Sequence, residues 1–182
     1  MAAIGAKFAG NSFKNNFIVE CECNYGILLC DFEDQVEEPL LDATIDKNIF
    51  YDSWSHNAKK LYGNYLRLDK YLLDEKDVKK NIRQYIRHCD NNIVYMSEKA
   101  RSEGAPYASV QLHELKNISI DQWREMFGYD LNTNTRNPLF KAPEKGDFSF
   151  LENSPAITLK ICPLNMNKTG CSYKKTGNEK SI

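Results

Sequence analysis

The stretch DEKDVKKNIRQYIRHCDNNIVYMSEKARSEG, residues 74–104, decides how the chain is read. Val78, Ile82, Tyr85, Cys89, Ile93, Met96 and Ala100 recur at alternating steps of four and three, the stripe of an amphipathic helix. Asp74 offers an N-cap, and Gly104 followed by Ala105-Pro106 offers a stop. Upstream, Trp54, Ala58, Leu61, Tyr65, Leu68 and Leu72 form a matching stripe behind the cap Asp52. A tight break near Asp74 would fold the two helices into an antiparallel hairpin.

The flanks read as strands and short elements. Residues 17–22 and 27–32 are apolar-rich runs separated by Cys23-Asn24-Tyr25-Gly26, which predicts a β-hairpin with an interior second strand. Residues 107–115 partly alternate and predict a strand, with Ala108, Val110 and Leu112 on one side. Ser119 and Gln122 have the spacing of a capping box, Ile120, Trp123, Met126 and Phe127 follow on one helix, and Gly128 ends it. Residues 130–147 read as a long loop and 156–162 as a late strand stopped by Pro163. No internal repeat is visible. The expected fold is therefore α+β: a small antiparallel sheet packed on a long antiparallel helical hairpin and one short helix. Residues 1–164 make one domain and 165–182 a polar, flexible tail.

Composition agrees with a folded chain. At 182 residues, 42% hydrophobic and 12% aromatic, it can bury a core. The first ten residues hold no signal-peptide apolar region, and no run has the length of a membrane span, so a cytoplasmic location is expected. Cys21, Cys23, Cys30 and Cys89 then read as reduced, buried thiols.

The formal net charge of -1 hides an uneven distribution. Acids crowd the segment 31–46, where Glu33, Asp34, Glu37, Glu38 and Asp42 form an acidic binding candidate. Bases crowd 59–88. Lys76, Lys80, Arg83 and Arg87 fall on one predicted helix face, Lys79 widens it, and Lys59, Lys60 and Arg67 extend it across the hairpin. Phosphates or an acidic protein patch would suit such a face, against the plain alternative of a solvated helix surface.

Reaction chemistry finds less support. Glu20, Glu22 and Asp31 would share a face of the hairpin and could hold a divalent cation for a nuclease, but no partner lysine or histidine stands nearby. His56, His88 and His113 are poorly placed to activate a cysteine; His88 and Cys89 diverge on a helix. Zinc spacing and phosphate-cradling glycine loops are absent. The expectation is a non-enzymatic accessory binding protein with no catalytic residues, metal or cofactor, docking on a protein or nucleoprotein. Composition rich in Lys, Asn, Ile and Tyr suggests a viral or mobile-element inhibitor of a host defence nuclease. The alternatives are a DNA- or RNA-binding protein using the basic face, and the metal-dependent nuclease.

Overall fold

Three stretches share one pattern: FKNNFIVE at 13–20, IDKNIFYD at 45–52 and CDNNIVYM at 89–96. Each is an inward apolar residue, a charged residue, a corner residue, an asparagine, then three apolar residues. A computed structural model of the chain, describing residues 2–6, 10–29, 42–55, 64–68, 82–83, 85–105, 107–112 and 116–164, shows what the pattern builds. In each copy a strand runs to a corner residue with positive φ, at Asn15 (54°), Lys47 (59°) and Asn91 (57°), and a second strand leaves at an angle. Asn is among the few residues that tolerate the left-handed region.

The strands stack into three parallel sheets. β1 (Ala2–Ala6), β4 (Tyr25–Leu29) and β7 (Asn64–Leu68) form the first; β2 (Ser12–Lys14), β5 (Ala43–Asp46) and β8 (Ile86–Asp90) the second; β3 (Phe17–Val19), β6 (Ile49–Tyr51) and β9 (Ile93–Tyr95) the third. Each coil of chain gives one strand to each sheet, and successive coils pair in parallel: a short three-sided β-solenoid. The first sheet continues with β10 (Ser109–Leu112), parallel to β7, and β11 (Lys116–Ser119), antiparallel to β10.

Strand alternation sends every second side chain inward, so equivalent residues of neighbouring coils stack. The columns are Phe13–Ile45–Cys89, Ile18–Phe50–Val94 and Ile27–Leu66–Val110, all within one core. Burying each large aliphatic or aromatic side chain contributes roughly 1.5–3 kcal/mol. Gly26 lies beneath this core because a Cβ there would sit 2.4 Å from the Phe50 ring.

Asparagines hold the corner. Asn16 donates its backbone N–H (3.0 Å) and Nδ2 (2.9 Å) to Oδ1 of Asn48. Asn48 donates in the same way to Oδ1 of Asn92, at 2.9 and 3.0 Å. The second Nδ2 hydrogen of each buried asparagine reaches back to a carbonyl of the preceding coil, Asn48 to Phe13 (2.9 Å) and Asn92 to Ile45 (3.3 Å). The ladder ends where the Asn92 N–H meets Thr133 Oγ1 at 3.0 Å.

The third sheet is apolar on both faces, as expected of a sheet covered on both sides. Its outward residues Phe17, Tyr51 and Ile93 meet an aromatic cover from β12 (Phe140–Ala142) and β13 (Asp147–Phe150), with Phe140 at the centre and the helix Pro155–Thr158 beside it. Phe17 and Phe140 ring centroids are 5.8 Å apart. Asn15 ties the end of this cover to the first coil through a reciprocal pair with Cys162, at 3.1 and 2.7 Å.

This architecture overturns the expected α+β fold with its long helical hairpin. The second predicted helix breaks after Tyr85, where β8 begins, and the first is replaced at 64–68 by β7. Nevertheless Ile82, Tyr85, Cys89, Ile93, Met96 and Ala100 are all buried. Bulges explain the false period. Val110 of β10 succeeds Ser109 while β7 advances from Asn64 to Leu66, and Thr44 succeeds Ala43 while β8 advances from Ile86 to His88. Each bulge resets strand parity, so Ile86 and Cys89, or Tyr65 and Leu68, are buried three residues apart as on a helix.

The expected hairpin is also corrected: β3 and β4 exist but belong to different sheets and do not pair. The late strand at 156–162 is instead a helical turn, Pro155–Thr158, and the loop at 130–147 contains β12. The absence of a repeat was a misreading, since the corner asparagines lie 32 and then 44 residues apart. The strand near 109 and the capped helix Ile120–Phe127 are present as expected, with Gly128 left-handed at its C-terminus (φ 71°). A five-residue helix, Glu98–Ser102, follows β9. The tail 165–182 lies outside the described residues. Among the described residues no helix is long and apolar enough to cross a membrane.

Two outcomes follow for stability. Asn92→Leu orphans the Ile45 carbonyl and the Asn48 donors in the interior and should cost roughly 3–5 kcal/mol in urea unfolding, whereas Asn16→Leu at the ladder's end should cost less than about 2 kcal/mol. Gly26→Ala should cost about 1–3 kcal/mol by overpacking against Phe50, and adding Phe50→Leu should make the pair less than additive.

Candidate functional site

Among the described residues, the outward positions of β2, β5 and β8 carry no apolar cover like that on the third sheet. Register places Ser12, Thr44 and His88 in one column and Lys14, Asp46 and Asp90 in the next. Neighbouring strands are about 4.8 Å apart, so each column is a row of polar groups at that step. Asp46 Oδ1 accepts from His88 Nε2 at 3.2 Å and Asn91 Nδ2 at 3.0 Å. Asp90 is gripped by Asn132, whose backbone N–H and Nδ2 each donate at 2.8 Å to a different carboxylate oxygen. These contacts hold two carboxylates on adjacent strands of the outward face, with Asp46 half-covered beneath His88 and Asn91.

Beside the columns lies a groove of about 410 Å³, whose lining includes Asp42, Arg83, Arg87, His88, Asp90 and Tyr129. Arg87 donates through Nε to Asp42 at 3.1 Å and through Nη2 to its other oxygen. Both side chains are exposed, so the pair orients the guanidinium more than it stabilises the fold. Burial pushes the Tyr129 phenol up to about 12, with Arg83 pulling the other way, so it stays a neutral donor, bonded to the Ile86 carbonyl at 2.5 Å.

Behind this face, under the third coil, sits a buried carboxylate. Asp130 is fully enclosed. Its Oδ2 accepts from Trp123 Nε1 at 2.9 Å, Cys89 Sγ at 3.1 Å and the Tyr65 hydroxyl. Its Oδ1 accepts from Asn92 Nδ2 at 3.2 Å and the Thr133 hydroxyl. Burial raises its pKa to about 7, opposed by the Thr133 hydrogen bond. Asp130 also donates its N–H to the Cys89 carbonyl at 2.7 Å, and Asn134 pairs with Ile93 as a remnant of a fourth coil. This group is a structural hub, since its hydrogen bonds join the third coil to the Ile120–Phe127 helix.

Of the basic residues singled out in the sequence, Arg83 and Arg87 meet at the groove, while Arg67 lies in the first sheet over the Tyr25 ring, 4.8 Å from its centroid, and bonds the Tyr25 hydroxyl. Lys59, Lys60, Lys76, Lys79 and Lys80 lie outside the described residues. The single helical face that was to unite them is broken, because Arg83 is helical and Arg87 sits at a strand bulge. Of the acidic candidates, Asp42 joins the groove; Glu33, Asp34, Glu37 and Glu38 lie outside the described residues.

The proposed metal-holding hairpin is corrected as well. Glu20 sits at a left-handed corner (φ 48°) after β3 and Glu22 in the following loop, with no paired strand between them and β4; Asp31 lies outside the described residues. Among the described residues no group of three or more His, Cys, Asp or Glu side chains could hold a metal ion. Cys89 points into the core, where burial holds its thiol well above its ordinary value, and burial likewise pushes Cys23 up to about 12. His88 faces the opposite way, outward.

His88 and Asp90 were missed because a helical reading scatters them, and Asp46 because it reads as the end of an acidic run. The signal was the charged residue two places before each corner asparagine, Lys14, Asp46 and Asp90, which only stacked coils bring into a column. No family model, curated protein or solved structure matches the chain.

The buried hub carries a pH dependence with a definite sign. The folded pKa of Asp130 lies above its unfolded value, so its protonated form favours folding. That contribution is complete below about 4, the unfolded carboxylate range, and is lost as pH climbs through about 7. Urea midpoints should therefore fall between pH 5 and 8. In Asp130→Asn the slope should flatten, while stability at pH 5 drops by about 1–3 kcal/mol because an amide now points N–H groups at other donors.

Proposed function

We propose that the protein is a binding solenoid that takes an extended, hydroxyl-rich polymer such as an oligosaccharide along the outer face of β2, β5 and β8. The observation that carries this reading is the pair of polar columns, Ser12–Thr44–His88 and Lys14–Asp46–Asp90. Stacked coils offer an elongated surface with a regular step, suited to a ligand that repeats along its length. The face mixes carboxylates, imidazole, hydroxyls and an ammonium, so it has both acceptors and donors for hydroxyl groups. Its two carboxylates outnumber its one ammonium, which speaks against a phosphate backbone as the main partner.

A second reading keeps the accessory protein that docks on a protein or nucleoprotein target. What favours it is the groove where Arg83, Arg87 and Asp42 stand together, offering both signs of charge at one place. Direct nucleic-acid binding would use the same arginines and would weaken steeply with salt.

Titration against a panel of oligosaccharides, duplex DNA and RNA at two salt concentrations separates these readings. Saturable oligosaccharide binding is expected, weakened by about tenfold or more, about 1.4 kcal/mol, in Asp46→Asn and in Asp90→Asn and little changed by salt. A protein that ignores every oligosaccharide but binds duplex with a steep salt slope sinks the proposal in favour of the nucleic-acid reading. Time courses on the same oligosaccharides read turnover, since two carboxylates on adjacent strands also suit glycosidic acid–base chemistry.

A further inference from the structure

The two ends of the solenoid differ. At one end the third coil is closed: Asp130 bonds the Cys89 carbonyl, Asn134 pairs beside β9, Thr133 terminates the asparagine ladder, and Trp123 of the Ile120–Phe127 helix is completely buried against the core. At the other end β1, β2 and β3 are each the last strand of their sheet, paired on one side only among the described residues.

Burial follows the same gradient. Phe13 keeps 8% exposure where Ile45 and Cys89 below it keep 0% and 1%, and Ile18 keeps 8% where Phe50 and Val94 keep 1% and 2%. Ile4, on β1, is half-buried while Ile27 beside it is fully buried. β1 and β3 carry none of the lysines or prolines that usually guard a free edge, and β2 carries one, the outward Lys14.

The ladder says what chemistry would complete this end. Within the stack each asparagine Oδ1 accepts the N–H and Nδ2 of the asparagine one coil earlier, and each Nδ2 sends its other hydrogen to that coil's carbonyl. Asn16 makes the bonds toward Asn48 but, among the described residues, its Oδ1 accepts nothing and its Nδ2 finds no earlier carbonyl. The unfilled valences match those of one more copy of the same corner.

We propose that the β1–β2–β3 end of the solenoid is a docking surface for a partner polypeptide that adds one coil in parallel. The partner segment is a strand, a left-handed corner residue, an asparagine and a second strand. Its corner asparagine would donate its N–H and Nδ2 to Asn16 Oδ1, and its strands would add to the edges of β2 and β3, covering Phe13 and Ile18. Main-chain pairing then supplies affinity, and the asparagine corner sets the register.

The probe is a synthetic peptide with the sequence of residues 43–54, ATIDKNIFYDSW, which already makes this donor contact to the third coil, where Asn48 gives its N–H and Nδ2 to Asn92 Oδ1. Calorimetric titration into the full chain should give saturable one-to-one binding. Hydrogen exchange should slow at residues 12–14 and 17–19 and not at the closed end. A peptide with leucine at its asparagine, and the protein variant Asn16→Leu, should each bind about tenfold weaker or worse. Equal binding by the leucine peptide overturns the ladder contact whatever Asn16→Leu does to folding. Absence of saturable binding to the folded chain overturns the docking surface. A concentration-dependent dimer in sedimentation, with residues 12–19 protected before peptide is added, assigns this end to a second copy instead and equally overturns the proposal.

Discussion

Everything in this structure depends on satisfying amide groups at a sharp corner in the interior. The chain turns between the second and third sheets through a single left-handed residue, and the polar atoms that such a turn exposes have no water to meet. Asn48 and Asn92 are completely buried, and each uses its carbonyl oxygen and both side-chain hydrogens on neighbouring coils. A buried amide left without partners costs more than a satisfied one contributes, so the corner tolerates few other residues. The stacking of Phe13 on Ile45 on Cys89, and of Ile18 on Phe50 on Val94, follows from the register this corner imposes.

The closed end shows how a repetitive structure stops. Thr133 replaces the next asparagine with a hydroxyl, and Asp130 accepts from Tyr65, Cys89 and Asn92 of the last coil and from Trp123 and Thr133 beyond it. Trp123 fills the space beneath, next to Phe127 and Tyr129 at ring distances of 4.9 and 5.3 Å. Placing a carboxylate there links the end's stability to protonation. The covered third sheet, with Phe140 against Phe17 and Tyr51, fixes a second side.

The proposed binding face uses positions the core does not need. In the second sheet, inward residues make the column Phe13–Ile45–Cys89, and alternate outward residues are left to make the polar columns with His88, Asp46 and Asp90. The bulge at Arg87 swings one guanidinium beside Asp42 at the groove. Sites of this kind arise from stacking, because residues far apart in sequence become neighbours at one strand spacing.

The sequence by itself pointed to Ile82, Tyr85, Cys89, Ile93, Met96 and Ala100 as buried, though not to the equally buried Leu66, Ile86 and Val94; it also showed where the capped helix Ile120–Phe127 starts and stops, and that strands occur near residues 17, 27 and 109. Those are local matters of apolar content, capping and turn chemistry. It did not determine helix against strand between 53 and 103, since bulges and corners put buried residues at three- and four-residue steps, the spacing a helix would give. Only the tertiary structure decided that Asn16, Asn48 and Asn92 form one ladder and that Asp46, His88 and Asp90 share a face. The reason is physical: parallel pairing satisfies hydrogen bonds between coils, and the segments inserted between the copies hide from any local window the repeat that those bonds bring into register.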